Sequence, residues 1–130
     1  MAAVRIVDES AGGRVKEAWL LAGLPDRVTV REIIRSRVRE EVARFNLTER
    51  TVFSGLVQPT ETEIVANGYR GRPDRRLHWE RQSEIAEKAF TTNGFFMLVD
   101  DRQVESLDDL VDLRDDPTVS FIRLVPLVGG

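Results

Sequence analysis

The sequence predicts one α+β domain, in which a long amphipathic helix accompanies several short β-strands. Two observations carry this prediction. Apolar residues recur at helical spacing from Val30 to Phe45, and β-branched or aromatic residues dominate the run from Val119 to Val125. With 130 residues, of which 42% are hydrophobic, the chain can bury one core without disulfides or metal ions. We therefore expect residues 1–130 to form a single domain.

A β-hairpin is predicted at the start of the chain. Val4 and Ile6 belong to a first β-prone run, and a second run extends from Val15 to Leu21. The segment between them, Glu9 to Gly13, contains two glycines and short polar residues, which favour a turn. We therefore expect the two runs to pair as antiparallel strands.

The main helix is predicted to begin at Val30 and to continue to Asn46. Thr29 and Glu32 have the spacing of a capping box, in which the hydroxyl and the carboxylate accept hydrogen bonds from the unpaired amides of a helix start. The apolar residues that follow fall on one face of a helix, with arginines and glutamates opposite. That face contains Val30, Ile33, Ile34, Val38, Val42 and Phe45.

The last third of the chain predicts three strands and a short helix. The strands are expected at Phe95–Val99, at Gln103–Val104 and at Val119–Val125. Ser106, followed by leucines at three-residue spacing up to Leu113, predicts the short helix.

Residues Leu47 to Asn93 separate these two parts of the chain. Short strands are predicted there at Thr51–Val57 and Glu63–Val65, with a turn at Asn67–Gly68. A second helix is predicted from Trp79 to Phe90, because its apolar residues share one face.

The predicted order of elements resembles the β-grasp fold of ubiquitin and of small sulfur carriers: a hairpin, a helix, two strands, a short helix and a final strand. The resemblance covers residues 1–46 and 94–130. It implies a ubiquitin-like β-grasp fold with a 47-residue insertion, residues 47–93, after the main helix.

The last residues of the sequence are Gly129 and Gly130, which follow the predicted final strand closely. An extended Gly-Gly segment has no Cβ atoms, so it can pass through a narrow channel and present its carboxylate to ATP. A carboxylate is a poor electrophile at neutral pH, so acyl transfer from Gly130 requires prior activation by another enzyme. We expect residues 126–130 to form a flexible, exposed tail.

The C-terminal residues are similar to two groups of diglycine-tailed β-grasp proteins. Pro126, Leu127 and Val128 before the diglycine resemble the tails of molybdopterin-synthase sulfur carriers. A charged residue within the last strand and the overall length resemble bacterial ubiquitin-like modifiers. The second resemblance implies an activating enzyme that uses ATP to adenylate Gly130 and recognises the tail. It also implies a conjugating enzyme, a JAB-type peptidase and target proteins as partners.

Three functions remain as alternatives. The leading one is a protein modifier conjugated through Gly130, so that the chain is a substrate and not itself an enzyme. The second is a sulfur carrier with a thiocarboxylate at Gly130, and the third is a β-grasp binding module with an idle tail. If the modifier forms polymers through lysine, only Lys16 and Lys88 can accept, because every other basic residue except one histidine is arginine.

Composition narrows the range of partners. The formal net charge of -3 gives no reason to expect a nucleic-acid partner, and no segment approaches the about 20 apolar residues that span a bilayer. The absence of cysteine excludes disulfides, thiolate metal sites and a cysteine nucleophile. We therefore expect a cytoplasmic protein with no membrane contact and no bound cofactor.

Polar residues that resemble metal ligands are expected to be structural instead. His78 has no second ligand at the spacing of a metal site and is expected at the start of the second helix. The aspartate pairs at residues 100–101, 108–109 and 115–116 fall at predicted turns or helix ends, where aspartate caps backbone amides. We expect no metal site.

Overall fold

The computed structural model describes residues 2–10, 15–47, 52–53, 55–57, 63–65, 68–70 and 77–123, and its secondary structure is mixed α+β. The elements in this part of the chain are, in order, β1 (Ala2–Ser10), β2 (Val15–Leu24), β3 (Arg27–Thr29), α1 (Val30–Leu47), β4 (Val52–Phe53), β5 (Glu63–Val65), β6 (Gly68–Arg70), α2 (Trp79–Thr91), β7 (Phe95–Val99), β8 (Arg102–Val104), β9 (Leu110–Asp112), a 3-10 helix (Leu113–Asp115) and β10 (Thr118–Arg123).

Contacts between Cα atoms divide the chain into two compact units. The first, which we call the sheet unit, comprises Met1–Glu32 and Phe90–Gly130. The second, the helical unit, comprises Ile33–Ala89. Because most of α1 belongs to the helical unit, the bounds of this unit differ from those of the predicted insertion at residues 47–93.

A five-stranded mixed sheet organises the sheet unit. Its strand order is β2-β1-β10-β7-β8, with β1 parallel to β10 and antiparallel pairing elsewhere. Alternate side chains of the central strands are buried, as Ile6 of β1, Met97 of β7 and Phe121 of β10 illustrate. The rings of Phe95 and Phe121 lie 6.0 Å apart between centroids, within the range of favourable aromatic pairs. The predicted pairing of the hairpin strands and the strands predicted at Phe95–Val99 and Gln103–Val104 are therefore confirmed, although Glu9 and Ser10 of the predicted turn belong to β1. The final strand is confirmed from Val119 to Arg123, and Leu124 and Val125 lie outside the described residues.

The main helix begins at the predicted residue, and the hydroxyl half of the predicted capping box is confirmed. The Thr29 hydroxyl accepts a hydrogen bond of 3.1 Å from the Glu32 amide. Two more amides of the first turn donate to backbone carbonyls, Val30 N to Asp109 O at 2.9 Å and Arg31 N to Leu107 O at 3.0 Å. On the predicted apolar face, Val30, Ile33, Ile34, Val38 and Val42 are buried, and Phe45 is partly buried.

The short helix predicted from Ser106 to Leu113 is wrong. Leu110–Asp112 instead forms β9, which pairs antiparallel with β3 in a separate two-stranded sheet. The Asp109 carboxylate accepts hydrogen bonds from the amides of Glu105 and Ser106, both at 3.2 Å, and so closes a turn. Helical structure begins only at Leu113, in one 3-10 turn.

The helical unit contains a small three-stranded sheet with the order β4-β6-β5. The strand predicted at Glu63–Val65 is confirmed, and it pairs antiparallel with Gly68–Arg70, which the sequence did not predict as a strand. The strand predicted over Thr51–Val57 is too long. In the described part of this segment only Val52–Phe53 is a strand, while Gly55–Val57 form a bend.

Side chains of both helices hold this bend. Glu41 Oε1 accepts a hydrogen bond of 3.2 Å from the Leu56 amide, and Gln82 Nε2 donates one of 3.2 Å to the Val57 carbonyl. The second helix itself is confirmed, with bounds one residue longer than predicted. Across the described residues, neither helix combines the length and the apolar composition that crossing a lipid bilayer requires.

Candidate functional site

The site of interest is the end of β10, because the residues predicted to carry the chemistry follow it in the chain. Gly129 and Gly130, together with Pro126, Leu127 and Val128, lie outside the described residues. The last described residue is Arg123, which lies opposite Ser10 of β1 and Phe95 of β7 in the sheet register. β10 is therefore paired on both sides as far as its last described residue.

An ion pair stands at this end of the sheet. Arg123 Nη2 lies 3.6 Å from Asp8 Oδ2, and the Asp8 side chain is only 4% exposed. Asp8 follows Val4 and Ile6 on the buried face of β1, since side chains of a strand alternate between faces. The pair therefore joins the two parallel strands diagonally, because Arg123 lies opposite Ser10 whereas Asp8 lies opposite Phe121.

The opposite face of the sheet, which we call the outer face, presents partly exposed apolar side chains next to the tail. Ile122 lies between Glu9 of β1 and Phe96 of β7 in the register. Two residues before Ile122 on β10, and on the same face, Ser120 lies opposite Leu98. The apolar side chains on these strands, Val7, Phe96, Leu98 and Ile122, are each partly exposed. Leu20 of β2, at 65% exposure, adds a more exposed one.

The two predicted acceptor lysines lie on different elements. Lys88 is exposed in the last turn of α2, where a cation is favourable for the helix dipole. Lys16 belongs to β2, and its side chain lies outside what the structure describes. Both positions remain predictions as attachment sites.

The aspartate pairs are engaged with backbone or with arginine. Asp100 Oδ1 accepts a hydrogen bond of 3.0 Å from the Thr118 amide. Asp108 Oδ1 lies 2.7 Å from Arg31 Nη1, near the start of α1. Asp116 adopts a left-handed conformation and donates its amide to the Leu113 carbonyl. The predicted capping of backbone amides is therefore confirmed for Asp100 and Asp109, whereas Asp108 pairs with Arg31 and Asp116 ends the 3-10 helix through its own backbone.

Among the described residues, Asp112 has a clearly shifted carboxyl pKa, although the sequence analysis did not single this residue out. Arg114 donates to its carboxylate from Nε at 3.0 Å and from Nη2 at 2.8 Å, and also from its amide at 3.0 Å. These hydrogen bonds lower the pKa of the Asp112 carboxyl and raise that of the Arg114 guanidinium. The spacing of two residues between an aspartate and an arginine is too common in sequences to have predicted this pair.

His78 is exposed and immediately precedes α2, where its carbonyl accepts the Gln82 amide at 3.1 Å. This is the predicted position. Within the described ranges, no group of three or more histidine or acidic side chains is arranged to hold a metal ion.

The missed feature of the site is the ion pair between Asp8 and Arg123. The two residues are far apart in sequence, and only the parallel register of β1 and β10 brings them together. A charged residue on the buried face of a strand was the available signal, because such a residue requires a partner.

No protein-family model, curated protein or solved structure matches this chain.

Proposed function

We propose that this chain is a ubiquitin-like protein modifier of β-grasp fold, whose Gly130 carboxylate is adenylated by an activating enzyme and then joined to target proteins. The strand order β2-β1-β10-β7-β8 carries the proposal. A β1-β2 hairpin followed by a helix, two antiparallel strands and a final strand inserted parallel to β1 is the connectivity expected of a β-grasp. This order also favours the diglycine as the functional end of the chain.

The central position of β10 in the sheet supports this role because it makes the strand rigid. A strand paired with β1 on one side and β7 on the other is rigid, and the Asp8–Arg123 ion pair adds a contact at its last residue. Seven residues follow Arg123. A chain of that length reaches at most about 25 Å when extended. The folded sheet can thus dock on a partner surface while Gly130 enters a distant catalytic pocket.

The outer face supplies a surface for such docking. Ile122 and Phe96 pair across β10 and β7 immediately before the tail, and Leu98 continues the apolar strip along β7. A partner that covers these partly exposed side chains gains apolar burial. Tail and surface together would then select this chain over an unrelated peptide that ends in diglycine.

The proposed chemistry uses only one group of this chain. The Gly130 carboxylate oxygen attacks the α-phosphorus of ATP and pyrophosphate leaves. A thiolate of the activating enzyme then displaces AMP to form a thioester, and an amine of the target displaces the thiol to form an amide. A conjugating enzyme would carry the intermediate, and a JAB-type peptidase would hydrolyse the final bond.

The test is ATP-dependent activation by the cognate activating enzyme, read by intact-protein mass spectrometry. We compare the unchanged chain with a variant lacking Gly130 and with Gly129→Trp, and use Lys88→Arg as a control that changes an exposed residue outside the tail. The unchanged chain and the control should form the adenylate and the enzyme thioester. Both tail variants should lose them, since the carboxylate must reach the phosphate in close alignment.

Two other outcomes discriminate the alternatives. Replacement of one carboxylate oxygen by sulfur at Gly130 would identify a sulfur carrier. Equal activation of the truncated and unchanged chains would contradict the proposal and favour a binding module with an idle tail. After conjugation, peptide mapping should show whether Lys16 and Lys88 accept further copies.

A further inference from the structure

A groove with a volume of about 540 Å³ lies on the sheet unit, away from the end of β10 that leads to the tail. Its lining includes Arg102 and Val104 from β8, and Leu110, Val111 and Asp112 from β9. This volume is within the range of ligand-binding clefts, about 300–1,000 Å³. The groove is therefore large enough to receive several side chains of a partner.

Both strands that line the groove are edge strands. In the described part of the chain, β8 pairs only with β7, and β9 pairs only with β3. All three residues of β9 contact the groove, although successive side chains of a strand point to opposite faces. The groove therefore runs along the edge of β9, where backbone amides and carbonyls are open to an added strand.

Apolar side chains form part of the same groove. Val104, Val111 and Pro117 are buried and belong to its floor. Leu110 also lines the groove and is 70% exposed. It offers a contact that an incoming apolar side chain would cover.

The rim of the groove is acidic. Asp101 and Asp115 are exposed on it, and Asp100 and Asp112 also belong to the lining, against the single base Arg102. The complementary occupant carries positive charge.

We propose that this groove binds an extended basic segment of a partner protein, which adds as a strand to the edge of β9. Alternate side chains of the segment then take different roles, because one face of an extended chain meets Leu110 and the other presents arginine or lysine to Asp101 and Asp115. This binding is non-covalent and uses no residue of the tail, so it is independent of the proposed activation of Gly130.

The probe is a short fluorescent peptide in which arginine and valine alternate, titrated into the full chain and followed by fluorescence anisotropy. Two matched peptides accompany it, one with glutamate in place of arginine and one with N-methylated backbone amides. The arginine peptide should bind, with affinity falling as salt is added. The other two should not, because they lack the charge and the strand-pairing donors, respectively.

Variants of the protein locate the site. Asp101→Asn combined with Asp115→Asn should weaken binding roughly threefold to tenfold, the range for two exposed ion pairs. Leu110→Ser should weaken it about tenfold through lost apolar burial. Glu80→Gln combined with Glu84→Gln removes two exposed acids from α2 and serves as the charge-matched control, which should leave binding unchanged.

Amide chemical shifts provide the second measurement. On addition of the peptide, the amides of Leu110–Asp112 should shift more than those elsewhere in the sheet. Equal binding to the double aspartate variant, retained binding of the N-methylated peptide, or no binding of the arginine peptide would each overturn the proposal. The proposal would also be overturned if self-association or a divalent cation shifted the same amides and the peptide had no effect on them.

Discussion

The two units differ in the polar side chains that they bury. In the sheet unit, the described buried side chains are apolar with one charged exception, Asp8, which lies at the end of the sheet beside Arg123. In the helical unit, Arg37, Gln82 and Ser83 are buried. A buried polar group must be hydrogen-bonded or it costs stability. Apolar packing therefore sets the core of the sheet unit, whereas the helical unit also buries the polar contacts of Arg37 with Glu41 and of Gln82 with the Val57 carbonyl.

Arg37 illustrates the second case. Its side chain is 1% exposed, and Nη2 lies 3.5 Å from Glu41 Oε2, one helical turn further along α1. Glu41 in turn accepts the Leu56 amide. Removing one partner of a buried ion pair leaves an uncompensated charge, whereas replacing both by apolar groups is often neutral. The arrangement thus fixes the position of the bend more than it adds to stability.

Loss of apolar packing in the sheet unit should give the largest effect. Phe121 is fully buried on β10 and its ring contacts that of Phe95. Phe121→Ala should lower the free energy of unfolding by about 3–5 kcal/mol, because it removes a buried ring and leaves a cavity. Urea unfolding measures the loss, and hydrogen exchange should accelerate in β1, β7 and β10.

The matched control for this variant is the next residue of the same strand. Ile122 is partly exposed on the outer face, so Ile122→Ala should cost much less than Phe121→Ala. If the two variants lose equal stability, the assignment of the buried face of β10 is wrong.

The sheet unit was predictable in its main strands because alternation and turn residues report burial directly. Val4 and Ile6 alternate with charged or exposed positions, and the turn at Asp100 separates two strands. The segment after Ser106 was not predictable in this way. Leucines at helical spacing and early acids fit a helix, but the carbonyls of Leu107 and Asp109 accept amides of α1 instead. Those two hydrogen bonds depend on residues that are distant in sequence.

A smaller loss should follow from breaking polar contacts in the helical unit. The Asn46 side chain forms two hydrogen bonds with the backbone of Leu77, Nδ2 to its carbonyl at 3.0 Å and Oδ1 from its amide at 3.1 Å. Asn46→Ala removes both and leaves part-buried backbone groups without these partners. It should cost about 1–3 kcal/mol in urea unfolding, with faster exchange at the Leu77 amide.

The neighbouring residue provides the comparison for this variant. Leu47 is 87% exposed at the end of the same helix, so Leu47→Ala should change stability by less than about 0.5 kcal/mol. Equal losses for the two substitutions would show that the hydrogen bonds between Asn46 and Leu77 do not stabilise the helical unit.

The candidate site was predictable only in part. The diglycine can be identified from the sequence because it consists of two adjacent residues, and the strand before it was correctly predicted from Val119 to Arg123. The Asp8–Arg123 pair and the edges of β8 and β9 were not, because each depends on which strands become neighbours. Strand order is a non-local property that periodicity does not report.

The smallest effect should come from an exposed charge in the sheet unit. Hydrogen bonds from Arg114 lower the pKa of the Asp112 carboxyl below its ordinary value of 3.8. A lowered folded-state pKa means that the ionised carboxylate adds stability above the unfolded value, and that this contribution declines as the pH falls below 3.8 toward the folded value. Asp112→Asn retains an oxygen that can accept the Arg114 amide, but it removes the charge and the second acceptor oxygen, which pairs with Arg114 Nη2. It should therefore be slightly less stable than the unchanged chain at about pH 7, and the difference should shrink at about pH 3.

Asp115→Asn removes an exposed acid from the adjoining 3-10 helix and is the control for total charge. A difference for Asp112→Asn that is constant across this range, or that the control reproduces, would show that the Arg114 hydrogen bonds do not stabilise the fold.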